Sequence, residues 1–332
     1  MHPYLVGLIG AGIGSSLTPP MHMAEARALG LDYVYRRIDI APLGIAPQLV
    51  GDLVAAAGAL GYDALNITHP CKQLVIEHLD DLDESADRVG AVNTVIFSSA
   101  GAVGYNTDGS GFAAAFTTGL PEAATAEVVQ LGAGGAGAAV ADALLAHGTE
   151  HLTLVDIGQD RASSLAQVLA RRFPTARVDA TDREALADVL PAADGLVHCT
   201  PTGMADHPGL PLDAELLHPA LWVVDLVYRP LDTALLQAAR TAGCRTLDGG
   251  RMAVHQAAHT LALVTGRQPD LERMFENFTR LLRAEDRQPG ISKQPTAVSG
   301  AALNQPLAGL RAAGSPSHTA GGSTVVEGID TD

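Results

Sequence analysis

The 332-residue chain is expected to fold as an α/β protein of two domains. Apolar runs of strand length alternate with helical stretches over most of its length, and a segment of small and turn residues interrupts the series near residue 120. Alternating strands and helices build parallel sheets covered on both faces, and a single core seldom grows beyond about 300 residues. The strand-length runs are Tyr4 to Ile9, Tyr33 to Ile38, Ala64 to Ile67, Val92 to Phe97, Glu127 to Leu131, Leu152 to Val155, Gly195 to His198 and Trp222 to Leu226. Gly119-Leu-Pro-Glu-Ala-Ala-Thr125 separates them into two groups. Residues 1–112 are therefore read as an N-terminal α/β domain with a mainly parallel sheet, and 113–250 as a second α/β domain. Beyond Gly249-Gly250, the near-helical spacing of Met252, His255, Leu261 and Val264 and an amphipathic stretch from Asp270 to about Arg283 predict helices. Residues 251–283 are assigned to complete the first domain. From Ala284 to Asp332 the chain is rich in Pro, Gly, Ser, Thr and Ala, and this tail is expected to be disordered.

A formal charge of −16 and a pI near 5.0 argue against nucleic acid or an anionic membrane as partner, because a surface for phosphates must be basic. A small-molecule partner is expected. Leu5 to Ile13 is a Gly-punctuated run of strand length, and no stretch reaches the roughly 18 apolar residues of a membrane span. Cys71, Cys199 and Cys244 show neither disulfide nor zinc spacing, which fits a reducing, cytoplasmic compartment.

After the strand ending at Leu131 comes Gly132-Ala133-Gly134-Gly135-Ala136-Gly137, followed by a long apolar helical run to Leu145. Glycines here permit a tight turn and a close approach to a pyrophosphate, while the helix N-terminus offers amide donors and a positive dipole. The next strand ends at Asp156, 24 positions after Gly132 and near the spacing of about 20 expected for an acid that accepts from ribose hydroxyls. Together these predict a Rossmann-type dinucleotide-binding domain. A carboxylate at 156 repels a ribose 2′-phosphate, and Ile157 and Gly158 rather than an arginine follow it, so NAD is favoured over NADP. The earlier Gly10-Ala-Gly12-Ile-Gly14 has different spacing and is read as a substrate loop.

Arginine supplies nearly all the positive charge. The only lysines are Lys72 and, in the tail, Lys293. Burial can bring a lysine's pKa into the working range but not an arginine's, which makes Lys72 a candidate proton shuttle. It stands in Asn66-Ile67-Thr68-His69-Pro70-Cys71-Lys72, which resembles the Asn-x-Thr-x-Pro-x-Lys motif of the shikimate/quinate dehydrogenase family. Gly104-Tyr105-Asn106-Thr107-Asp108-Gly109, Gly90-Ala91-Val92-Asn93-Thr94 and Ser16-Leu17-Thr18-Pro19 resemble further elements of that family. So do Asp225-Leu-Val-Tyr228-Arg-Pro230 and Gly249-Gly250-Arg-Met252-Ala-Val-His-Gln256, so the likeness extends over residues 4–283.

The resemblance implies an enzyme that reversibly oxidises a ring hydroxyl of shikimate or quinate, a cyclic polyol carboxylate, to the 3-dehydro ketone. It implies Lys72 and Asp108 as the catalytic pair, Ser16, Thr18 and Tyr228 at the substrate carboxylate, and Thr68, Asn93 and Gln256 at ring hydroxyls. Gly132, Gly134, Gly135, Ala136, Gly137, Asp156, Thr200, Met204 and Gly250 would bind the cofactor. Residue chemistry agrees: Ser16 and Thr18 project together from an extended loop before a Pro-started helix whose dipole favours an anion. Asn, Thr, Gln and Asp suit hydroxyls that both donate and accept.

Thr18 in place of the more usual serine, together with Asp156, resembles the NAD-using branch of the family. His198 stands where asparagine is usual, and Cys71 and Ala257 are also atypical. His255 and His259, four apart on one helix face, lack a nearby third ligand and are read as packing residues, and no metal is expected. The alternatives are an NADP-dependent biosynthetic shikimate dehydrogenase and a non-catalytic NAD-sensing homologue; the resemblance permits a monomer or a homodimer.

Overall fold

The computed structural model describes residues 3–286. Six strands of the first half form one sheet: β1 (Tyr4–Gly10), β2 (Tyr33–Asp39), β3 (Ala64–Ile67), β4 (Asp81–Leu82), β5 (Thr94–Ser98) and β6 (Gly101–Tyr105). Their spatial order is β2-β1-β3-β5-β6-β4. β1 runs parallel to β2 and β3, and β4 to β6, whereas β5 is antiparallel to both β3 and β6. The sheet is thus mainly parallel with an antiparallel hairpin let into it. Its helices are α1 (Thr18–Ala28), α2 (Val50–Ala59) and α3 (Glu84–Val89).

Local chemistry sets these boundaries. Pro19 and Pro20 occupy the first turn of α1, where their missing N–H groups cost nothing. Asp83 caps α3 by accepting from the Ser85 amide, and Gly90 ends it in the left-handed region at φ 65°. The acidic run Asp80 to Glu84 divides: Asp81–Leu82 is strand β4 and the helix begins only at Glu84.

A helix joins the halves. α4 (Asp108–Gly119) begins with Asp108 beside the first sheet and sends Phe112 and Phe116 into the core of the second, stacked with ring centroids 5.7 Å apart. The division expected at 112/113 therefore falls inside a helix that belongs to both sheets.

The second sheet contains β7 (Glu127–Leu131), β8 (His151–Val155), β9 (Arg177–Thr181), β10 (Gly195–His198), β11 (Trp222–Asp225) and β12 (Arg245–Asp248), in order β12-β11-β10-β7-β8-β9. All its pairings are parallel. Its helices are α5 (Gly135–Ala146), α6 (Gln159–Arg172), α7 (Leu186–Val189) and α8 (Ala234–Thr241). The chain builds β7, β8 and β9 outward, then returns to the other side of β7 with β10. The carboxyl ends of β7 and β10 thus flank a topological switch point, where open α/β sheets bind ligands.

α9 (Gly249–Thr265) and α10 (Leu271–Asp286) finish the described chain. Val254, Ala257, Met274 and Phe278 share a buried cluster with Leu17 and Met21 of the first half. Residues 284–286 extend α10 rather than opening the tail; the remainder of the expected tail lies outside the described residues.

Four strands escape the sequence reading: β4, β6, β9 and β12. Each is short or lies at a sheet edge, and β6 carries two glycines in five residues, so none presents a strong apolar period.

α1 also buries a histidine. His22 is wholly enclosed, its Nδ1 3.2 Å from the Tyr33 hydroxyl and its ring edge-on to Tyr35 at 5.1 Å. Burial holds its pKa at about 3, against 6.5 when exposed. A histidine depressed on folding leaves stability intact above the unfolded value, and the contribution is lost as pH falls through that value, because the unfolded chain takes up the proton first. At pH 5 this residue should cost about 2 kcal/mol. Urea melts at pH 7 and 5 should show that loss in the native chain and a smaller one in His22→Leu; equal losses would remove His22 as the cause.

Candidate active site

Lys72 follows β3 in a loop fixed at both ends of the motif: the Cys71 amide donates to the Thr68 carbonyl at 2.8 Å, and the Lys72 carbonyl accepts from the Val92 amide at 2.8 Å. Cys71, atypical by sequence, is simply buried in the core of the first half. These bonds aim the lysine across the junction. Its Nζ donates to Asp108 Oδ2 at 2.5 Å, with side-chain exposures of 16% and 7%. Its stem lies on Gly135, where an added Cβ would stand 3.3 Å from the lysine Cβ and 3.4 Å from its Cδ. The amine and the glycine turn thus share one cleft.

Asp108 is held on every side. Its amide donates to Asn106 Oδ1 at 3.0 Å, and its Oδ1 accepts from Asn93 Nδ2 at 2.8 Å. Asn93 also donates to Thr107 Oγ1 at 2.9 Å, while its own Oδ1 accepts from the Thr107 amide and the Thr94 hydroxyl, each at 3.0 Å. Both amide protons of Asn93 are therefore engaged, and a substrate hydroxyl could gain one only by displacing Thr107 or Asp108. Gln256, on α9, donates to Thr107 Oγ1 at 3.0 Å and to Thr260 Oγ1 at 3.1 Å. Its donors face inward, which leaves its carbonyl oxygen as the group to meet a ligand. Sequence reasoning missed Thr260, although it follows Gln256 by one helical turn.

Ser16 and Thr18 do not project from an extended loop. The Ser16 amide donates back to the Ile13 carbonyl at 2.9 Å, Leu17 is already helical, and Ser16 Oγ accepts from the Thr18 amide at 3.3 Å. This turn brings the two hydroxyl residues to the start of α1, close to two unforeseen cations. Arg37 donates to the Ser16 carbonyl at 2.5 Å and Arg229 to the Ser15 carbonyl. Tyr228 packs against the cluster containing Leu17, with its ring 6.4 Å from Phe278. Thr68 is half-buried at the end of β3, its methyl against Gly10. Guanidinium groups beside hydroxyls at a helix start suit a carboxylate.

The glycine turn has the shape its sequence predicts. Gly132 sits at φ 101°, and a Cβ there would stand 3.0 Å from the Cys199 backbone and the Thr200 methyl. A Cβ on Gly137 would lie 2.2 Å from the Gly132 carbonyl oxygen, so only glycine lets α5 approach. No atom lies within 4 Å of a Cβ on Gly134, which leaves the turn open beside the uncapped amides of α5, Ala136 among them. Gln130, unforeseen, locks the turn to the helix by donating to the Gly132 and Gly137 carbonyls at 2.9 and 2.8 Å. The turn fits a pyrophosphate.

Two residues assigned to the cofactor make other bonds in this geometry. Asp156 Oδ2 accepts from the Ala133 amide and Oδ1 from the Gly158 amide, both at 2.8 Å, and Arg161 comes within 3.7 Å. The acid braces the turn, and an arginine absent from the immediate sequence reaches it through one turn of α6. Gly250 donates its N–H to Asp248 Oδ1 at 2.9 Å, and a Cβ there would meet Leu231 and Phe278 at 2.8 Å. Its smallness serves the packing of α9, and it has no free donor for a cofactor. Thr200 and Met204 lie on the loop over Gly132, where the Met204 amide donates to the Pro201 carbonyl at 3.1 Å. The His255 and His259 rings lie 6.5 Å apart at a tilt of 54°, His259 meets Ser110 at 2.8 Å, and burial lowers both their pKa values. Among the described residues no group of three metal-ligating side chains converges, and no helix is long and apolar enough to cross a membrane.

A lysine–carboxylate pair reaching from one α/β lobe to the glycine turn of a Rossmann lobe defines an oxidoreductase that uses a nicotinamide dinucleotide. Residues 8–95 match the shikimate dehydrogenase substrate binding domain, and 128–205 match the saccharopine dehydrogenase NADP binding domain. A shikimate dehydrogenase (NADP(+)) of Streptomyces avermitilis is 59% identical, over 84% of this chain and 96% of its own. A quinate/shikimate dehydrogenase (NAD(+)) of Corynebacterium glutamicum is 48% identical, over 83% and 98%. The solved quinate dehydrogenase from Corynebacterium glutamicum in complex with NAD superimposes with a TM-score of 0.78 at 47% identity, over 84% and 99% of the two chains. The chain belongs to the shikimate/quinate dehydrogenase family.

Proposed function

We propose that this chain reversibly oxidises a ring hydroxyl of shikimate or quinate to the 3-dehydro ketone, with residues around 1–112 and α9–α10 holding the substrate and the second sheet holding the cofactor. The observation that carries this reading is the 2.5 Å contact of Lys72 with Asp108, its stem resting on the cofactor turn. The carboxylate of the ring docks at Ser16, Thr18 and Tyr228 with Arg37 and Arg229 behind them, while Thr68 and the Gln256 carbonyl meet ring hydroxyls and Asn93 meets one by exchanging its bond to Thr107. The bound nicotinamide supplies a hydride acceptor in one direction and a donor in the other.

The residues' own task is the proton. As the ring carbon gives up its hydride, its hydroxyl proton must leave, and Lys72 Nζ in its neutral form accepts it. Asp108 orients that hydroxyl and then stabilises the ammonium formed beside it. In reduction the ammonium returns the proton to the nascent alkoxide. Asn93 keeps the carboxylate aimed at the amine throughout.

NAD is the cofactor we favour, supported by the carboxylate of Asp156 at the end of β8. NADP is the second reading, supported by Arg161 at 3.7 Å from that acid and by the 59% identical relative named for NADP. Steady-state rates for NAD and NADP against shikimate and quinate test the proposal: turnover of either acid with NAD preferred supports it. Dinucleotide binding without turnover of either acid would point to a sensor instead. Asp156→Ala should lower the NAD/NADP ratio of kcat/KM about tenfold, and an unchanged ratio would mean the acid only braces the turn. The three free cysteines support a reducing, cytoplasmic setting.

A further inference from the structure

His198 and Asp225 end neighbouring parallel strands, β10 and β11, in direct register, and both are wholly buried. The Asp225 carboxylate only accepts. Its Oδ2 takes the Thr233 hydroxyl at 2.6 Å, and its Oδ1 takes the Val227 amide at 3.0 Å and His198 Nδ1 at 2.9 Å. That fixes the imidazole: Nδ1 carries a proton toward Asp225, and Nε2 lies on the far side of the ring. Nε2 faces the Thr200 hydroxyl at 2.5 Å. Thr200 in turn accepts from the Thr202 amide at 3.3 Å and lays its methyl over Gly132. Thr233 caps α8 through the Leu236 amide at 3.2 Å. One line of bonds therefore runs from the start of α8 through Asp225 and His198 to the loop covering the glycine turn.

We propose that His198 is a positioning residue that seats the Thr200–Met204 loop against the Gly132–Gly137 turn and so sets dinucleotide affinity. An imidazole bridges both neighbours because its two nitrogens sit on opposite sides of the ring. An asparagine, usual at this position, reproduces the donor to Asp225 but stops short of Thr200, so it removes the link to the loop without stranding the buried carboxylate. The inference rests on the dehydrogenase reading for the identity of the ligand.

The test is a double-variant cycle on the full chain: His198→Asn, Thr200→Val and the two combined, titrated with NADH and NADPH by nucleotide fluorescence and assayed for turnover. Each single variant should weaken binding of the preferred dinucleotide and raise its KM about tenfold, the size expected for one buried hydrogen bond. In His198→Asn kcat and KM for the acid should stay within about twofold, and the melting midpoints of all three variants within about 2 °C. The double variant should be no weaker than either single one, because both cut the same bond. Additive losses, unchanged affinity in the single variants, or losses that merely track melting would each overturn the proposal. Since binding is read without the second substrate, a native chain that binds dinucleotide but oxidises neither acid strikes the proposed function and leaves this inference standing.

Discussion

Lys72→Ala is expected to lower kcat about 10³-fold, within the range that a positioned general acid–base contributes. The ring hydroxyl loses its proton acceptor, and no other lysine lies among the described residues to replace it. Substrate and dinucleotide affinities should change by less than about fivefold, because the anchors at Ser16, Thr18 and the glycine turn remain. Truncation also strips the stem from Gly135, so Lys72→Met is the sharper comparison: it keeps an apolar stem there and removes only the amine. Equal losses in the two variants assign the effect to the proton, whereas a methionine variant with near-native turnover would take Lys72 out of the chemistry.

Asp108→Asn should be nearly as damaging and also costly to the fold. Both carboxylate oxygens accept, one from Asn93 and one from Lys72, so an amide turned either way sets its NH₂ against a donor. The expected result is a loss of about 10²- to 10³-fold in kcat and of about 1–3 kcal/mol in stability, from one unsatisfied buried contact. Turnover and urea melts of the same preparation check it. A stable variant with full activity would mean the carboxylate neither aims the lysine nor balances its charge.

What the sequence disclosed was local. The glycine turn follows from consecutive residues and a strand before them, and Lys72 stood out because lysine is otherwise absent from the described chain. Side-chain destinations were harder to see. Asp156 occupies the expected strand end, yet the turn at Ala133 and Gly158 directs backbone amides onto its oxygens, and that geometry depends on φ and ψ rather than on residue type. Asn93 and Gln256 lie where the motifs place them, but their donors turn to Thr107, Asp108 and Thr260, residues up to 149 positions away. His198 and Asp225 meet only because β10 and β11 align in register, which pattern reading does not fix for strands buried on both faces. The edge strands β9 and β12 were lost for a related reason: half-exposed segments carry little apolar signal.

The most direct measurement is a crystal structure of the chain with NAD and shikimate bound together. One ring hydroxyl should lie within hydrogen-bond reach of both Lys72 Nζ and the Asp108 carboxylate, its carbon facing the nicotinamide and the ring carboxylate at Ser16 and Thr18. A ring seated elsewhere, or turned so that its reacting hydroxyl lies beyond the lysine, would contradict the proposed mechanism.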